Sequence, residues 1–321
     1  MSQAPAPKKV LVTGGAGFIG SHVVDALIAR GHEVAVIDDL SSGDARTLNP
    51  RAEFRPLDIR SPDAAAWLIH WRPDAICHHA AQISVSRSQD EPFLDLDINV
   101  GGALRILEAA RITGSRIITA SSAAVYGPPL RLPTDEDHPT RPINNYGVSK
   151  LAFEHYLQAF GATYGVSFAV LRYANVYGPR QNTAGEAGVV AAFCEALTRN
   201  QPVVIHGDGG QTRDFVFVGD VAHANVLAVE SQAVGIFNVS TGSETDVNTL
   251  YRLLAAALGS RSSALTGPPR IGDIRRSVLD PRRAARELGW RPGTDLQAGL
   301  AITAEWFGSQ PPARKSQQAG L

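Results

Sequence analysis

Cysteine and methionine are nearly missing: two Cys and one Met stand in 321 residues. Cys77 and Cys194 have no spacing that suits a metal site, and each lies in an apolar run. Two reduced core thiols in a cytoplasmic protein are the expectation, not a disulfide framework, and no metal is expected. No run approaches the ~20 apolar residues that a membrane helix requires. The opening "MSQAPAPKK" carries no apolar stretch of the kind a signal peptide shows. An excess of charge of one sign is absent too. Lys and Arg number 30 against 31 Asp and Glu, a net charge of −1, with pI near 6.8. That balance points to neither nucleic acid nor a membrane surface as partner. It leaves room for a local basic patch that holds a phosphorylated small molecule.

What is present is enough apolar material, 44%, to bury a substantial core. Strand-like and helix-like segments alternate in the first half. "KKVLVTG" reads as a buried strand. "FIGSHVVDALIARG" follows at helical spacing, closed by Gly31. "EVAVIDD", "AEFRPLD", "DAICHHA", "SRIITASS" and "SFAVLRYAN" read as further strands. Helices are expected at "DAAAWLIHW", over 91–113 as one long element, and from "YGVSK" onward. This alternation predicts an α/β fold, a doubly wound parallel sheet of the Rossmann type. After Asn175 the pattern becomes mixed, with helices at 186–199 and 246–258 and short strands at "QPVVIHG" and "GIFNVST". The expected division is a cofactor domain over 1–176 and a smaller mixed α/β substrate lobe over 177–308, with some chain crossing back. Residues 1–7 are expected to be disordered and 309–321 a flexible tail.

"VLVTGGAGFIGSH" places Gly14, Gly17 and Gly20 between the first strand and the first helix. The first glycine permits a tight turn, the second admits a pyrophosphate, and the third lets helix and strand pack closely. The pyrophosphate then meets the positive end of the helix. Asp38 ends the second strand, where a carboxylate accepts from adenosine ribose hydroxyls and repels a 2′-phosphate. Asp39 adds to that repulsion, so NAD is favoured over NADP. Asp58 in "PLDIRS" is a candidate adenine contact.

"NNYGVSK" sets Tyr146 four residues before Lys150, on one face of a helix. Alone, the spacing fits a surface pair as well as a catalytic pair. The glycine pattern and this Tyr-x-x-x-Lys together resemble the extended short-chain dehydrogenase/reductase superfamily. "HHAAQISVSRS", "DINVGGALRILEAA", "ASSAAVYG", "RYANVYGPRQ", "GDGGQTRDFVFVGDVA" and "PPRIGDIRRSVLD" are similar to stretches of nucleotide-sugar epimerases, closest to UDP-glucose 4-epimerase-like enzymes. The resemblance covers about residues 8–308.

The resemblance implies roles residue by residue. Tyr146 is the catalytic base, Lys150 its cationic neighbour and a holder of the nicotinamide ribose, and Ser122 a hydroxyl that relays a proton to the sugar O4. A phenol ionises near ~10, so working near ~7 needs about three pH units, roughly 4 kcal/mol. Lys150 and the positive nicotinamide are expected to supply it. The cofactor, a resident NAD, would also touch Phe18, Ile19, Leu40, Ser42, Gly43, Ile59, Ala80, Ala81, Gln82, Asn99, Ser121, Tyr173 and Val176. Arg213 and Arg270 match diphosphate-binding arginines, whose fork suits phosphate oxygens. Asp273 accompanies Arg270, Asn175 and Val189 contact substrate, and the backbone around Ile205 and His206 reads the uracil edge. A homodimer is implied, through a four-helix interface from 91–113 and 146–164.

Ala123 and Ala124 follow Ser122, where dehydratase and decarboxylase relatives carry carboxyls. Neither alanine transfers a proton, which argues for epimerisation of UDP-glucose and UDP-galactose. Ser277, four residues past Asp273, leaves room near the sugar C2 and implies that N-acetylated UDP-sugars fit as well. Another UDP- or dTDP-sugar modification, such as epimerisation of a uronic acid, stays open, and so does a non-catalytic NAD-binding regulator. His79 stands where such relatives have leucine, Asp39 where asparagine is commoner, and Ala124 where threonine is frequent.

Overall fold

A computed structural model describes residues 6–183, 188–269 and 272–310. β1 (Lys9–Thr13), α1 (Phe18–Ala29), β2 (Glu33–Ile37), β3 (Glu53–Arg55), α2 (Pro62–Trp71) and β4 (Ala75–His78) come first. Then follow α3 (Val85–Asp90), α4 (Pro92–Leu96), a π-helical turn at Asp97–Gly102, α5 (Ala103–Thr113), β5 (Arg116–Ser122), α6 (Asn145–Tyr164) and β6 (Phe168–Tyr173). The remainder holds β7 (Asn175–Tyr177), α7 (Val189–Thr198), β8 (Val203–His206), β9 (Thr212–Arg213), β10 (Phe215–Phe217), α8 (Val218–Glu230) and β11 (Gly235–Val239). It closes with β12 (Thr245–Asp246), α9 (Val247–Ala257), β13 (Ala264–Gly267), β14 (Arg276–Ser277), α10 (Arg282–Glu287) and α11 (Leu296–Ser309).

Seven strands form one sheet in the order β11-β6-β5-β4-β1-β2-β3, and each adjacent pair is parallel. Both faces are covered, as parallel sheets require. Alternate residues of one strand go to opposite sides. Val10 and Val12 join α1 and α8 in one core, whereas Leu11 joins α2, α5 and α6 in the other. Leu107 on α5 has no exposed surface, and cutting such a leucine to alanine costs ~2–5 kcal/mol. A third core lies in the C-terminal part, where Phe193, Cys194 and Leu197 of α7 meet Leu250 and Leu254 of α9 and Leu300 of α11.

Local chemistry sets the ends of the site-bearing helices. The Asn144 side chain accepts from Gly147 N–H at 2.8 Å and caps α6, and Gly165 at φ 71° ends it. The long helix expected over 91–113 is formed: α4, the π-helical turn and α5 run on without a break from Pro92 to Thr113, with Leu96, Asp97, Gly102 and Ala103 all in the right-handed helical region. Glu91, at φ −126°, ψ 62°, lies outside it as the N-cap, as suits the residue before a proline.

"GIFNVST" is chain from the later half that joins the main sheet. It forms β11 on β6, at the edge of the main sheet, because Phe237 and Val239 complete the core on the α1 and α8 face. α7 starts at Val189, and residues 186–187 of the expected helix lie outside the described residues. So do residues 1–5 and 311–321 of the expected loose ends, while Ser309 closes α11. No helix among the described residues is long and apolar enough to cross a membrane, and none of their His, Cys, Asp and Glu groups could hold a metal ion.

Candidate active site

The C-terminal ends of β1, β2, β4 and β5 share one edge of the sheet, where ligands bind in open parallel sheets. Gly14 turns there at φ 72°, and a Cβ on it would lie 2.5 Å from Ala80 N. A Cβ on Gly20 would sit 2.1 Å from Gly14 O. The loop is therefore a cradle that only bare backbone can form. Gly17 is the N-cap of α1 with no side chain across it, and Phe18 and Ile19 start the helix, so its first N–H groups face outward.

Asp38 is buried, at 7% exposure, and accepts from Ala16 N–H at 2.9 Å and Leu40 N–H at 2.8 Å. Those bonds pin the loop while further lone pairs stay free for a ribose diol. Burial raises its carboxyl above the ordinary range. Leu40 sits at φ 58°, an uncommon angle for leucine. A Cβ on Gly43 would touch Ala16 Cβ at 2.9 Å. Asp39 instead turns outward onto Ser41, and Ser42 is exposed. Asp58 is held by Arg60 at 2.6 Å, and Arg60 also reaches Asp97 at 3.1 Å. Ile59 is buried against Gly102.

Ala80 N–H bonds Thr13 Oγ1 at 3.3 Å, Ala81 follows it, and Gln82 N–H bonds Asn99 Oδ1 at 2.8 Å. Tyr173 accepts from Asn225 at 2.8 Å, which leaves its hydroxyl hydrogen for His79 Nε2 at 3.2 Å. His79 thus packs against Tyr173. Val176 pairs with Val216 in the β7–β10 ladder.

Ser122 ends β5 and faces α6, which carries Tyr146 and Lys150. The Lys150 ammonium donates to Ala120 O at 3.2 Å and stands 5.8 Å from the centre of the Tyr146 ring. Burial pushes Tyr146 up to about 12, and only the Ser122 hydroxyl counters it, with Asp95 adding to the rise. Lys150 is brought down to about 8, by burial against the pull of Asp95 and Glu154. Desolvation, not a neighbouring charge, sets the direction of the Tyr146 shift.

The substrate side is built from short strands. Arg213 on β9 lies beside Ser277 on β14 in parallel register. Its guanidinium donates to Thr212 O and Ile274 O at 2.7 Å each and pairs with Asp273. Asp273 was expected beside Arg270, which lies outside the described residues. In the structure Asp273 pairs with Arg213. Asn175 is exposed at the start of β7. Val189 opens α7. Ile205 is buried in the C-terminal core. His206 Nδ1 lies 2.9 Å from Pro268 O, and the His206 carbonyl accepts from Gln211.

Sequence reading passed over Glu154, Arg172 and Asp95. Ser121 gives its hydroxyl hydrogen to Glu154 at 2.5 Å, and Arg172 grips the same carboxylate through two nitrogens. Glu154 follows Lys150 by four, as Lys150 follows Tyr146, so the i, i+4, i+8 row was readable. Asp95 precedes Asn99 by the same step and bonds it at 3.0 Å. Asn99 in turn reaches Ser149 on α6 at 3.2 Å.

The chain matches, over residues 10–240, the model of a family described as "NAD dependent epimerase/dehydratase family". It is 46% identical over 307 residues to a UDP-glucose 4-epimerase of Mycolicibacterium smegmatis, covering 93% of this chain and 98% of that protein. Among solved structures, a Thermotoga maritima UDP-glucose 4-epimerase with UDP-glucose superposes with TM-score 0.91 at 44% identity, over 93% of this chain and 98% of the other. A Thermus thermophilus UDP-glucose 4-epimerase in complex with NAD gives TM-score 0.89 at 42% identity, over 94% and 99%. The glycine cradle and the Asp38 carboxylate, which keeps lone pairs free, fit the cofactor in that family's description. This chain therefore belongs to the NAD dependent epimerase/dehydratase family.

Proposed function

We propose that the protein is an NAD-dependent UDP-sugar 4-epimerase, an isomerase that interconverts UDP-glucose and UDP-galactose through a 4-keto sugar. One observation carries the reading: Tyr146 and Lys150 share a face of α6 opposite Ser122, and the turn after Ser122 is Ala123–Val125. That turn offers no acid or base to expel a further substituent, so the site can move a proton at O4 and little else. NAD supplies the chemistry of taking up a hydride from C4 and returning it. Gly14 and Gly17 would hold its pyrophosphate, with Gly20 letting the helix pack close, Asp38 would hold its adenosine ribose and Lys150 its other ribose. Tyr146 removes the O4 proton with Ser122 as relay, and gives it back once the keto sugar has presented its other face. The sugar must turn, so the nucleotide is the anchor, and Arg213, with Arg270, holds its diphosphate.

In the finer reading, residues 1–176 are mainly the cofactor domain and 177–308 mainly the substrate lobe. Half-buried Ser277 beside Arg213 leaves the C2 side open, which supports turnover of UDP-N-acetylglucosamine and UDP-N-acetylgalactosamine as well. Free, buried Cys77 and Cys194 support a cytoplasmic site of action. Phe93 at 85% exposure on α4 and Tyr164 at 57% on α6 support a homodimer through those helices.

The test is incubation with UDP-galactose and detection of UDP-glucose, with Tyr146→Phe in parallel. Conversion by the wild type and its loss in the variant are expected. Full activity in the variant would overturn the mechanism. Brisk turnover of UDP-galactose with none of either N-acetylated sugar would overturn the wider substrate range.

A further inference from the structure

Asp25 stands on α1, about two turns past Gly17. Its Oδ1 accepts from Asn49 Nδ2 at 2.8 Å. Its Oδ2 lies 2.8 Å from Arg180 Nη1 in an ion pair. The Asn49 side-chain oxygen accepts from Arg51 N–H at 3.0 Å, so the amide is oriented and its nitrogen is the atom that faces the carboxylate. Three residues earlier, on the same face of α1, His22 Nε2 lies 2.9 Å from Pro179 O. A carbonyl only accepts, so that nitrogen carries the hydrogen. Three contacts thus gather on one helix face.

They join segments that lie far apart in the chain. Asn49 ends the loop that leaves Asp38 and passes Ser42 and Gly43. The middle of that loop is fastened to Ala16 of the glycine turn, where Ala16 O accepts from Asp44 N–H at 3.0 Å and Thr47 Oγ1 at 3.2 Å. The Asn49–Asp25 bond fastens its far end. Pro179 and Arg180 stand just past β7, on the stretch that leads to α7. Arg180 is held at φ 67°, a conformation uncommon for arginine that persists where the surroundings fix it. Asp25, Asn49 and Arg180 line one cavity of about 1370 Å³ together with Gly17, Ser42 and Gly43.

We propose that Asp25 is a positioning residue for the cofactor loop: with Asn49 on one oxygen and Arg180 on the other, it clasps the loop over the adenosine half of NAD and slows release of the cofactor. Retention then depends on Arg180, a residue from beyond the cofactor domain. This rests on the reading of NAD as a resident group and adds to it the side chains that keep it resident.

The test is release of NAD from the loaded protein, read by chromatography of the nucleotide retained after dilution and gel filtration. Asp25→Ala removes both ties and is expected to speed release by about tenfold, roughly the worth of one hydrogen bond to a charged group. Asn49→Ala and Arg180→Ala are each expected to speed it by less. Arg180→Ala added to Asp25→Ala is expected to speed it no further, because the shared partner is already gone. Asp25→Glu is expected to restore slow release. Arg199→Ala removes a cation that lines the same cavity and pairs with Glu195 instead, and it is expected to leave the rate unmoved. A wild-type rate in Asp25→Ala would overturn the proposal. So would an equal gain in Arg199→Ala, which would assign the effect to the charge of the cavity.

Amide exchange in the NAD-saturated protein reads the loop without turnover. Residues 44–50 are expected to exchange faster in Asp25→Ala. Unchanged protection there, or an equal rise along the whole of α1 that marks a purely structural role, would overturn the proposal. If Asp25→Ala does not fold, Asn49→Ala and Arg180→Ala, both in loops, decide in the same two assays. A protein that holds NAD yet leaves UDP-galactose unchanged defeats the epimerase reading instead, and the rate of NAD release still judges the clasp.

Discussion

The two ends of the cleft solve the same problem, holding an anion, in opposite ways. The cofactor end uses backbone. β5 and β6 align six residue pairs, and the cradle consists of glycine main chain that has no side chains to rearrange. The substrate end uses charged side chains on strands of two residues, β9, β12 and β14. There, among the described residues, three arginines are already paired: Arg213 with Asp273, Arg275 with Asp208, Arg276 with Glu244. In the proposed reading a diphosphate at Arg213 competes with the Asp273 carboxylate for the guanidinium, whereas no side chain caps the helix start at Gly17. A resident group and a ligand that must come and go call for this difference.

The largest break in that contrast is a methyl group in the cradle. Gly20→Ala would drive Cβ into Gly14 O, so the purified variant should carry no NAD and show no turnover. Extraction and chromatography of the bound nucleotide check this. Tyr146→Phe should keep NAD and lower kcat by about 10²–10⁴-fold, the usual worth of a general base, as steady-state assays would show.

Glu154→Gln tests the packed side through stability. It leaves Arg172 buried without its carboxylate, a loss of about 3–5 kcal/mol, and calorimetry should find a clearly lower Tm. Arg213→Ala tests the side-chain-built end. It should lower kcat/KM by about 10–100-fold, as for a hydrogen bond to a charged group, with little change in Tm. Ser277→Tyr should give the smallest effect, a loss of about 10-fold in turnover of N-acetylated relative to plain UDP-sugars, since one pocket contact is worth ~1–3 kcal/mol.

The same division explains what the sequence made legible. Strands β1 to β6 announced themselves by apolar runs bounded by Gly and Asp, and the glycine loop by its spacing, because local pattern and tertiary role agree there. β11 did not, since "GIFNVST" looks like any short strand until β6 is beside it. Tyr146 and Lys150 were readable from one helix face. The rise of the phenol to about 12 was not, because it depends on how much water the surrounding elements exclude and on Asp95, which another helix brings. The pairing of Arg213 with Asp273 was hidden for the same reason. The two lie on segments that only the fold brings side by side.

Strand β11 has a consequence for how this molecule can be divided. The polypeptide leaves the large sheet after β6, builds much of the other lobe, and returns to supply the outermost parallel strand and helix α8. A fragment ending at residue 176 would keep every glycine of the cradle and still present β6 as a bare, hydrophobic margin, a template for unwanted strand pairing. Swapping the proposed substrate lobe for that of a relative would therefore need at least three junctions, two flanking 178–217 and another after β11, because α9 and α11 complete the same core as α7.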